Sequence, residues 1–458
     1  MGNRALLRRV DIIRSALTKQ EGFHVPHQEL TRLWIHHIQP VMINQHRLLL
    51  EPVCPTVPAG AFENPRTDRA RKWCPVEGLL LFAATRTREQ CHARNLDTLT
   101  TPSYGNGSAG TWRALRLSSA MVNPVTRASH RTPEGRFRNP WPGPPERGFG
   151  SVLRWMIDRA RHGKHGFASR VRAQTLCEPE LLHPRASIGE CRVTWIGHST
   201  FLLQMGGLNI LTDPMWGDRA SPVPFAGPRR LMPPGVALNA LPPIDVVLQS
   251  HDHYDHFDIG TVRELANRFP QAVWCVPLGV GALTRTHGAT AVIECDWYES
   301  AAVGAARVSC VPARHFSGRS LTGRNHTLWC GWVITVGGFR IYFAGDTALH
   351  PDFTSIAEQF GPFHAVLLPI GAYDPRWFMR PVHLDPEEAV DAYEAISTSQ
   401  PLSPPVMVAM HWGTFALTDE PVDEPPVRLR ARWSAGGHAS ELLWVLAPGE
   451  TRALRTLP

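Results

Sequence analysis

Seven consecutive residues hold the densest chemistry in this chain: Ser250-His251-Asp252-His253-Tyr254-Asp255-His256. Three imidazoles and a carboxylate at His-x-His-x-Asp-His spacing suit two metal ions rather than one. Residues two apart on extended chain point the same way, so His251 and His253 can grip one ion. A turn then sends Asp255 and His256 towards a second position. Nitrogen and oxygen donors without thiolate fit two Zn2+, with Mn2+ or Fe2+ as the other candidates. Such a pair lowers the pKa of a water between the ions and clamps an oxyanion as charge develops, so the expected reaction is hydrolysis.

Four side chains do not fill two coordination shells. Three later segments share one design, an apolar strand running into a metal-competent side chain: Val308–Pro312 before His315, Arg340–Ala344 before Asp346, and Pro405–Met410 before His411. Ligands at strand ends converge on one edge of a sheet, where loops can be shaped over a rigid scaffold. The expected assignment is His251, His253 and His315 on one ion, Asp255, His256 and His411 on the other, and Asp346 between them. The chain has 22 histidines, so no single strand-end residue would justify this reading. The repeated strand-then-ligand pattern does.

The elements that must position these residues follow from the flanking sequence. Asp245–Gln249 reads as a short buried strand leading into the cluster. Arg192–Gln204 and Leu208–Thr212 flank Gly206-Gly207, and Thr327–Val336 and Phe339–Ala344 flank Gly337-Gly338, both hairpin signals. Thr261-x-x-Glu264 reads as a capping box, and Asp385-Pro386-Glu387-Glu388 opens a helix with Pro and acids in its first turn. Two hairpin-rich halves with outer helices predict a four-layer αββα sandwich, two facing mixed sheets with the metals at one rim.

In order along the chain, Gly197-His198-Ser199-Thr200, Leu211-Thr212-Asp213-Pro214, the 251–256 cluster, His315, Gly345-Asp346-Thr347 and His411 resemble the motifs of the metallo-β-lactamase superfamily. Gly135–Pro142, Arg219–Pro222, Leu241–Asp245, Pro369–Tyr373, Pro375–Met379, His383–Ala389 and His411–Phe415 are similar to one branch, the N-acyl-phosphatidylethanolamine-hydrolysing phospholipases D. The resemblance runs from about Met121 to near the C-terminus. It implies the same seven ligands and adds a role near the substrate phosphate for His383. On residue chemistry alone, His383 is either a general acid or a residue before a helix with no role. The resemblance also places Asp213 behind the metals, orienting a ligand histidine; a turn cap before Pro214 is a compatible reading. His198 falls in a signature that packs near the site and is not assigned as a ligand.

Charge is unevenly distributed. Residues 1–120 carry a net +7, residues 121–190 a net +6 and residues 191–458 a net −6. A mildly acidic core argues against a nucleic-acid groove built into it. Nine scattered cysteines, without a Cys-x-x-Cys, fit reduced and mostly buried thiols. No stretch approaches the roughly 20 apolar residues of a membrane span, and charges at Arg4, Arg8, Arg9, Asp11 and Arg14 leave no signal-peptide core. A cytoplasmic location with peripheral membrane contact is expected.

The chain divides into an unassigned basic extension, 1–120, and a hydrolase domain, 121–458, made of an arm over 121–190 and a core over 191–458. The extension shows no sustained period beyond a helix over 11–50, with turn-formers at 52–60 and 101–110. It is either an accessory region or sequence upstream of a true start at Met121. In the arm, 151–161 predicts a helix with Val152, Trp155, Met156 and Ile157 on one side. Its basic face either meets anionic lipid or is simply solvated.

The expected enzyme is a binuclear metal-dependent hydrolase, a phosphodiesterase of phospholipase D type with Asp255 and His383 as catalytic candidates. If the branch resemblance holds, it converts N-acyl-phosphatidylethanolamine into phosphatidic acid and an N-acylethanolamine. Large apolar residues near the motifs, Trp216, Phe225, Tyr254, Phe316, Trp377 and Phe378, suit a lipid. The rival readings are hydrolysis of a small phosphorylated lactone or cyclic phosphodiester, and a metal-sensing or regulatory binding protein without turnover. Expected partners are a phospholipid or small phosphodiester substrate, with a homodimer as candidate assembly and no nucleic acid.

Overall fold

Alternation along the strands explains how the layers assemble. In the strands β2 (Cys191–Gly197), β3 (Thr200–Met205) and β4 (Leu208–Thr212), Val193, Trp195, Phe201, Leu203 and Ile210 face one apolar cluster while Ile196, Leu202 and Leu211 face another. The period of two continues in β5 (Val246–Leu248) and β6 (Val273–Pro277): Val246, Leu248 and Cys275 point one way, Val247, Trp274 and Val276 the other. A sheet apolar on both faces must be covered on both.

This arrangement is seen in a computed structural model, which describes residues 115–117, 130–142, 149–162, 175–320 and 322–455. The helix expected over 11–50, the turn clusters at 52–60 and 101–110, and Met121 lie outside the described residues. Within them, β7 (Ala291–Cys295) and β15 (Thr451–Leu454) complete a seven-stranded sheet in the order β15-β2-β3-β4-β5-β6-β7. An eight-stranded sheet runs β1 (Leu115–Leu117), β8 (Ser300–Val303), β9 (Ala306–Val311), β10 (Gly331–Val336), β11 (Phe339–Phe343), β12 (Ala365–Pro369), β13 (Val406–Met410) and β14 (Leu443–Trp444). Each sheet is antiparallel in one half and parallel in the other.

Helices α2 (Ile259–Arg268) and α3 (Val280–Thr286) set Val262, Leu265 and Val280 against the outer face of the seven-stranded sheet. Helices α4 (Asp352–Phe360), α6 (Pro386–Ser397) and α7 (Glu424–Ala435), with the short α5 (Arg376–Met379) between the first two, contribute Phe353, Ile356, Val390, Tyr393, Ile396, Leu429 and Trp433 to the cluster that includes the other sheet. These layers form the αββα sandwich. Between the sheets, Trp332 and Trp195 are fully buried, and truncating either to Ala would cost about 3–5 kcal/mol.

Both hairpin signals correspond to turns, with Met205 opposite Leu208 and Val336 opposite Phe339. The 192–204 run is two strands rather than one. It reverses at His198-Ser199, where His198 takes a left-handed φ of 55°. The α2 cap is also displaced from Thr261 to Asp258, whose carboxylate accepts from the Thr261 N–H and hydroxyl. Asp258 sits one residue before the helix, where extended backbone lets a carboxylate reach back over the first turn. The α6 reading stands: Asp385 accepts from the Glu388 N–H, with Pro386 in the first turn.

Strand direction sets the position of the site. Since β9 and β11 both run antiparallel to β10, they run the same way, as do β12 and β13. The chain therefore leaves β9, β11 and β13 at one edge of the sheet. In the facing sheet β4 and β5 are parallel, and the β2–β3 turn lies at the same end as the exit from β4. Cross-sheet hydrogen bonds, Cys330 N–H to Ser250 O at 2.9 Å and Trp332 Nε1–H to Gln249 O at 2.9 Å, pin the two rims together.

The arm helix is α1 (Phe149–His162). Trp155 packs inward, stacked on Phe378 at 5.6 Å and donating from Nε1 to Asp419 Oδ2. Met156 departs from the expected apolar side and is 43 % exposed. Among the described residues, no helix is long and apolar enough to cross a membrane. The six described cysteines are free thiols, five of them buried.

Candidate metal centre

Hydrogen bonds on the outward side of the imidazoles determine which nitrogens face inward. A carboxylate or carbonyl only accepts, so His256 Nδ1 carries a proton donated to Asp213 Oδ2 at 2.7 Å, and His315 Nδ1 one donated to Val382 O at 2.8 Å. Ser250 Oγ–H donates to Asp213 Oδ2 at 2.5 Å, which leaves its oxygen to accept from His251 Nδ1 at 2.8 Å. The Nε2 atoms of His251, His256 and His315 are then the ones directed at the cluster, and each offers a lone pair when its ring carries no second proton.

These lone pairs converge in two groups. His251 Nε2 lies 2.8 Å and His315 Nε2 3.2 Å from His253 Nδ1. In the second group, His256 Nε2 and His411 Nε2 each lie 3.4 Å from Asp255 Oδ2. Asp346 Oδ2 stands between the groups, 3.1 Å from His256 and His411, 3.7 Å from His315 and 3.9 Å from His251. Atoms around one tetrahedral ion with nitrogen and oxygen ligands lie about 3.3 Å apart, which these separations bracket. His256 Nε2, His411 Nε2 and Asp346 Oδ1 are buried without a hydrogen-bond partner, a costly arrangement that a cation would satisfy. The residues fit a divalent metal site.

The electrostatics agree with that fit. Burial holds His253 down at about 3 and His315 at about 4, so both rings are neutral donors at pH 7. Burial also opposes charge on His256 and His411, but there the carboxylates outweigh it. Without a cation, Asp346, Asp255 and Asp213 hold His256 well above its usual range, and Asp346 and Asp255 raise His411 to about 9, so a proton takes the positive-charge role that a bound cation would fill. Asp255 and Asp346 resist the upward push of burial through these same histidines and stay well below the carboxylate range.

Local backbone explains why the ligands come together. Gly345 takes φ +62°, and a Cβ there would lie 2.6 Å from Cys330 O and 2.8 Å from Ser250 Cβ, so only glycine turns the chain from β11 into Asp346. His411 follows β13 directly at φ 59°, the kind of backbone strain that gathers at functional sites.

All seven expected ligands meet here. Asp213 lies behind them, accepting from Ser250 N–H at 2.6 Å and Gln249 Nε2–H at 3.1 Å besides His256. His383 joins the cluster, its ring 4.9 Å from that of His315 and 5.3 Å from that of His411. A cavity of about 290 Å3 opens onto His253, Asp255, Asp346 and His383, walled by Val152, Trp155, Phe316, Phe378, Met379, Val382 and Leu417. Of the six apolar residues expected near the site, Phe316 and Phe378 line it. Trp216 packs under the seven-stranded sheet, and Phe225 is 66 % exposed.

Two contributors have roles that the sequence did not assign: His198, which it placed near the site but not as a ligand, and Asp252. His198 Nε2 lies 2.9 Å from Asp255 Oδ2, and its ring packs 4.1 Å from that of His411. Asp252 alternates with His251 and His253 and so points away from the ions, the one signal in the sequence. Its carboxylate accepts from Gly318 N–H and Thr327 Oγ1–H, both at 2.9 Å, and so clamps the 318–327 loop.

The comparisons with known proteins identify the family. The family model described as "Beta-lactamase superfamily domain" matches residues 208–412. An uncharacterized protein of Mycobacterium tuberculosis is 42 % identical over 339 residues, covering 71 % of this chain and 87 % of the relative. The "N-acyl-phosphatidylethanolamine-hydrolyzing phospholipase D 1" of Caenorhabditis elegans is 40 % identical over 248 residues, covering 52 % of this chain and 68 % of that protein. Among solved structures, a metallo hydrolase from Ignicoccus hospitalis is 24 % identical, covering 58 % of this chain and 98 % of its own, with a TM-score of 0.42. The chain belongs to the metallo-β-lactamase superfamily as a metal-dependent hydrolase, and within it resembles the N-acyl-phosphatidylethanolamine-hydrolysing phospholipases D.

Proposed function

We propose that the protein is a binuclear phosphodiesterase of phospholipase D type acting on N-acyl-phosphatidylethanolamine-like lipids. The observation that carries this is the cavity: an apolar wall from α1, Phe316, Phe378 and Leu417 leads to a floor of His253, Asp255, Asp346 and His383. Acyl chains need such a wall, whereas a phosphorylated lactone would leave it against water. Similarity to the nematode phospholipase D supports the same substrate class.

In this reading His251, His253 and His315 would hold one Zn2+ and Asp255, His256 and His411 the other, with Asp346 a ligand available to either; Mn2+ or Fe2+ would suit the same donors. When bound, the ions supply Lewis acidity that acidifies a water and offsets charge developing on the phosphoryl oxygens. Asp213 and Ser250 fix the tautomers of His256 and His251, which keeps the ligand nitrogens aimed inward. His383 is the proton donor. Its backbone N–H is tied to Met379 O at 2.9 Å, and its ring lines the cavity. The hydroxyl of water joins phosphorus while its other proton passes to His383, a ring that burial keeps neutral and able to accept it; the bond from phosphorus to the N-acylethanolamine oxygen breaks, and that oxygen takes the proton from His383. The products are phosphatidic acid and an N-acylethanolamine. Exposed Met156 and Arg154 on α1 offer the peripheral contact with anionic lipid that a membrane substrate requires.

The test is full-length protein incubated with N-acyl-phosphatidylethanolamine in mixed micelles, alongside a phosphorylated lactone and a cyclic phosphodiester, with products read by mass spectrometry. Phosphatidic acid formed by the wild type and lost in His253→Ala supports the proposal. Turnover of the small substrates alone would overturn it.

A further inference from the structure

His383 differs from the histidines around it in how its ring is held. His256 and His315 are fixed through Nδ1 by Asp213 and by the Val382 carbonyl. His383 Nδ1 is buried and has no hydrogen-bond partner among the described residues. Its ring packs against those of His315 and His411, contacts that limit its position but supply no hydrogen bond to orient it. The direction of this imidazole is therefore left to its backbone.

One side chain holds that backbone from outside its own turn. Arg376, the first residue of α5, is 26 % exposed and spreads its guanidinium over three acceptors. Nη1 donates to the His383 carbonyl at 3.1 Å, Nη2 donates to Glu388 Oε2 at 2.6 Å, and Nε lies 3.1 Å from Asp385 Oδ2. Asp385 caps α6 and Glu388 lies in its first turn, so the fork ties the start of α5 to the start of α6 across the turn that carries His383. Two contacts with carboxylates fix the guanidinium plane, and the remaining N–H edge is then aimed at one carbonyl. The neighbours of His383 are pinned elsewhere. Val382 O accepts from His315 Nδ1, and Leu384 N–H donates to Thr347 O at 2.8 Å. Loss of the Arg376 side chain would release the His383 carbonyl while these two bonds remain.

We infer that Arg376 is a positioning residue: by holding the His383 carbonyl between α5 and α6, it keeps the His383 ring aimed at the leaving oxygen. The inference rests on the proton transfer through His383 proposed above and adds the residue that gives it direction. Arg376 touches no reacting atom. In the step it serves, the bond from phosphorus to the leaving oxygen breaks, its electron pair stays on that oxygen, and the proton that His383 took from water neutralises it. A leaving oxygen that is stable as an anion needs this proton least, which separates positioning from general support of the fold.

Steady-state kinetics of the metal-loaded full-length protein on ethyl p-nitrophenyl phosphate, ethyl phenyl phosphate and N-acyl-phosphatidylethanolamine in mixed micelles test it. The two aryl esters differ only in the leaving group, and p-nitrophenolate departs without a proton far more readily than phenolate or an alkoxide. A well-placed acid–base group contributes about 10²–10⁴-fold, so Arg376→Gln should lower kcat at least about tenfold more on the phenyl ester and the lipid than on the nitrophenyl ester. Arg376→Lys, which keeps a charged donor without the fork, should recover part of that difference. Arg380→Gln removes the second cation on Glu388, 3.1 Å away, without touching His383, and should leave the ratio of the two aryl esters within about twofold of wild type. Metal content and thermal unfolding of the variants should match the wild type; if Arg376→Gln binds less metal or melts early, the same ratio is read in Arg376→Lys. Equal losses on both aryl esters, no loss on either, or the same change in Arg380→Gln would overturn the positioning role, as would a wild type that turns over the nitrophenyl ester alone. A wild type that cleaves both aryl esters but not the lipid removes the lipid substrate and leaves Arg376 tested by the aryl pair. One that cleaves no diester removes the phosphodiesterase reading, and the positioning role with it.

Discussion

His198 Nε2 donates to Asp255 Oδ2 at 2.9 Å, so one of the two carboxylates facing the metal positions is held by a histidine outside the seven candidate ligands. The same residue accepts from His411 N–H at 3.1 Å through its carbonyl and donates its own N–H to Thr414 Oγ1 at 2.7 Å. His198 thus orients two members of one ligand group. His198→Gln should lower the affinity of the weaker metal site about 10- to 100-fold, with the kcat loss restored by excess metal. Competition with a chromogenic chelator measures this. Affinity within twofold of wild type would remove the positioning role.

Asp213 accepts from four groups: His256, the Ser250 N–H and hydroxyl, and the Gln249 amide. In Asp213→Ala these buried donors lose their common acceptor, each at about 1–3 kcal/mol before relaxation. Urea unfolding of metal-free protein should show a loss of about 3 kcal/mol or more. A loss below about 1 kcal/mol would mean that water replaces the carboxylate.

Gly345→Ala tests whether the backbone entry to Asp346 is obligatory. The new methyl meets Cys330 O and Ser250 Cβ inside contact distance, at a positive φ that itself costs about 1–2 kcal/mol in an L-residue. Asp346 should be displaced and metal-dependent turnover reduced at least about 100-fold. Wild-type activity in this variant would contradict the geometry described for Asp346.

His350 gives the fold a pH dependence separate from the metals. It is stacked between Trp141 at 4.5 Å and Phe353 at 4.1 Å, and burial, with help from Arg314, holds it at about 3. Between pH 6.5 and 3 the unfolded chain binds a proton that the native ring does not. This contribution is therefore complete above about pH 6.5 and lost as pH falls towards 3. Stability of the wild type should drop between pH 7 and pH 5 by about 2 kcal/mol more than that of His350→Phe. Parallel denaturation curves for the two proteins at both pH values would remove the effect.

Much of the centre was legible because its grammar is local. His251, His253, Asp255 and His256 sit on one short segment, and His315, Asp346 and His411 each follow an apolar strand. The two Gly-Gly hairpin signals and the helix starts carried the two-sheet architecture in the same way. Other features depend on distant contacts. The Asp255–His198 bond spans 57 positions, and Arg324 meets the arm across 188. The reversal at His198-Ser199 lies within a segment read as one strand, because a left-handed histidine leaves no compositional mark. Asp258 displaced Thr261 as the α2 cap because both are good capping residues, and only the chain path decides between them.

The central claim is that Asp346 stands between two metal positions, and metal stoichiometry tests it most directly. Mass-spectrometric metal analysis of full-length wild type and Asp346→Ala, each equilibrated with Zn2+ and then freed of loose metal, should give about two ions per chain for the wild type. Asp346→Ala should hold one or fewer, with hydrolysis of bis(p-nitrophenyl) phosphate lost in parallel. A wild type that holds no more than one ion per chain, or an Asp346→Ala variant that retains two ions and full activity, would contradict the account.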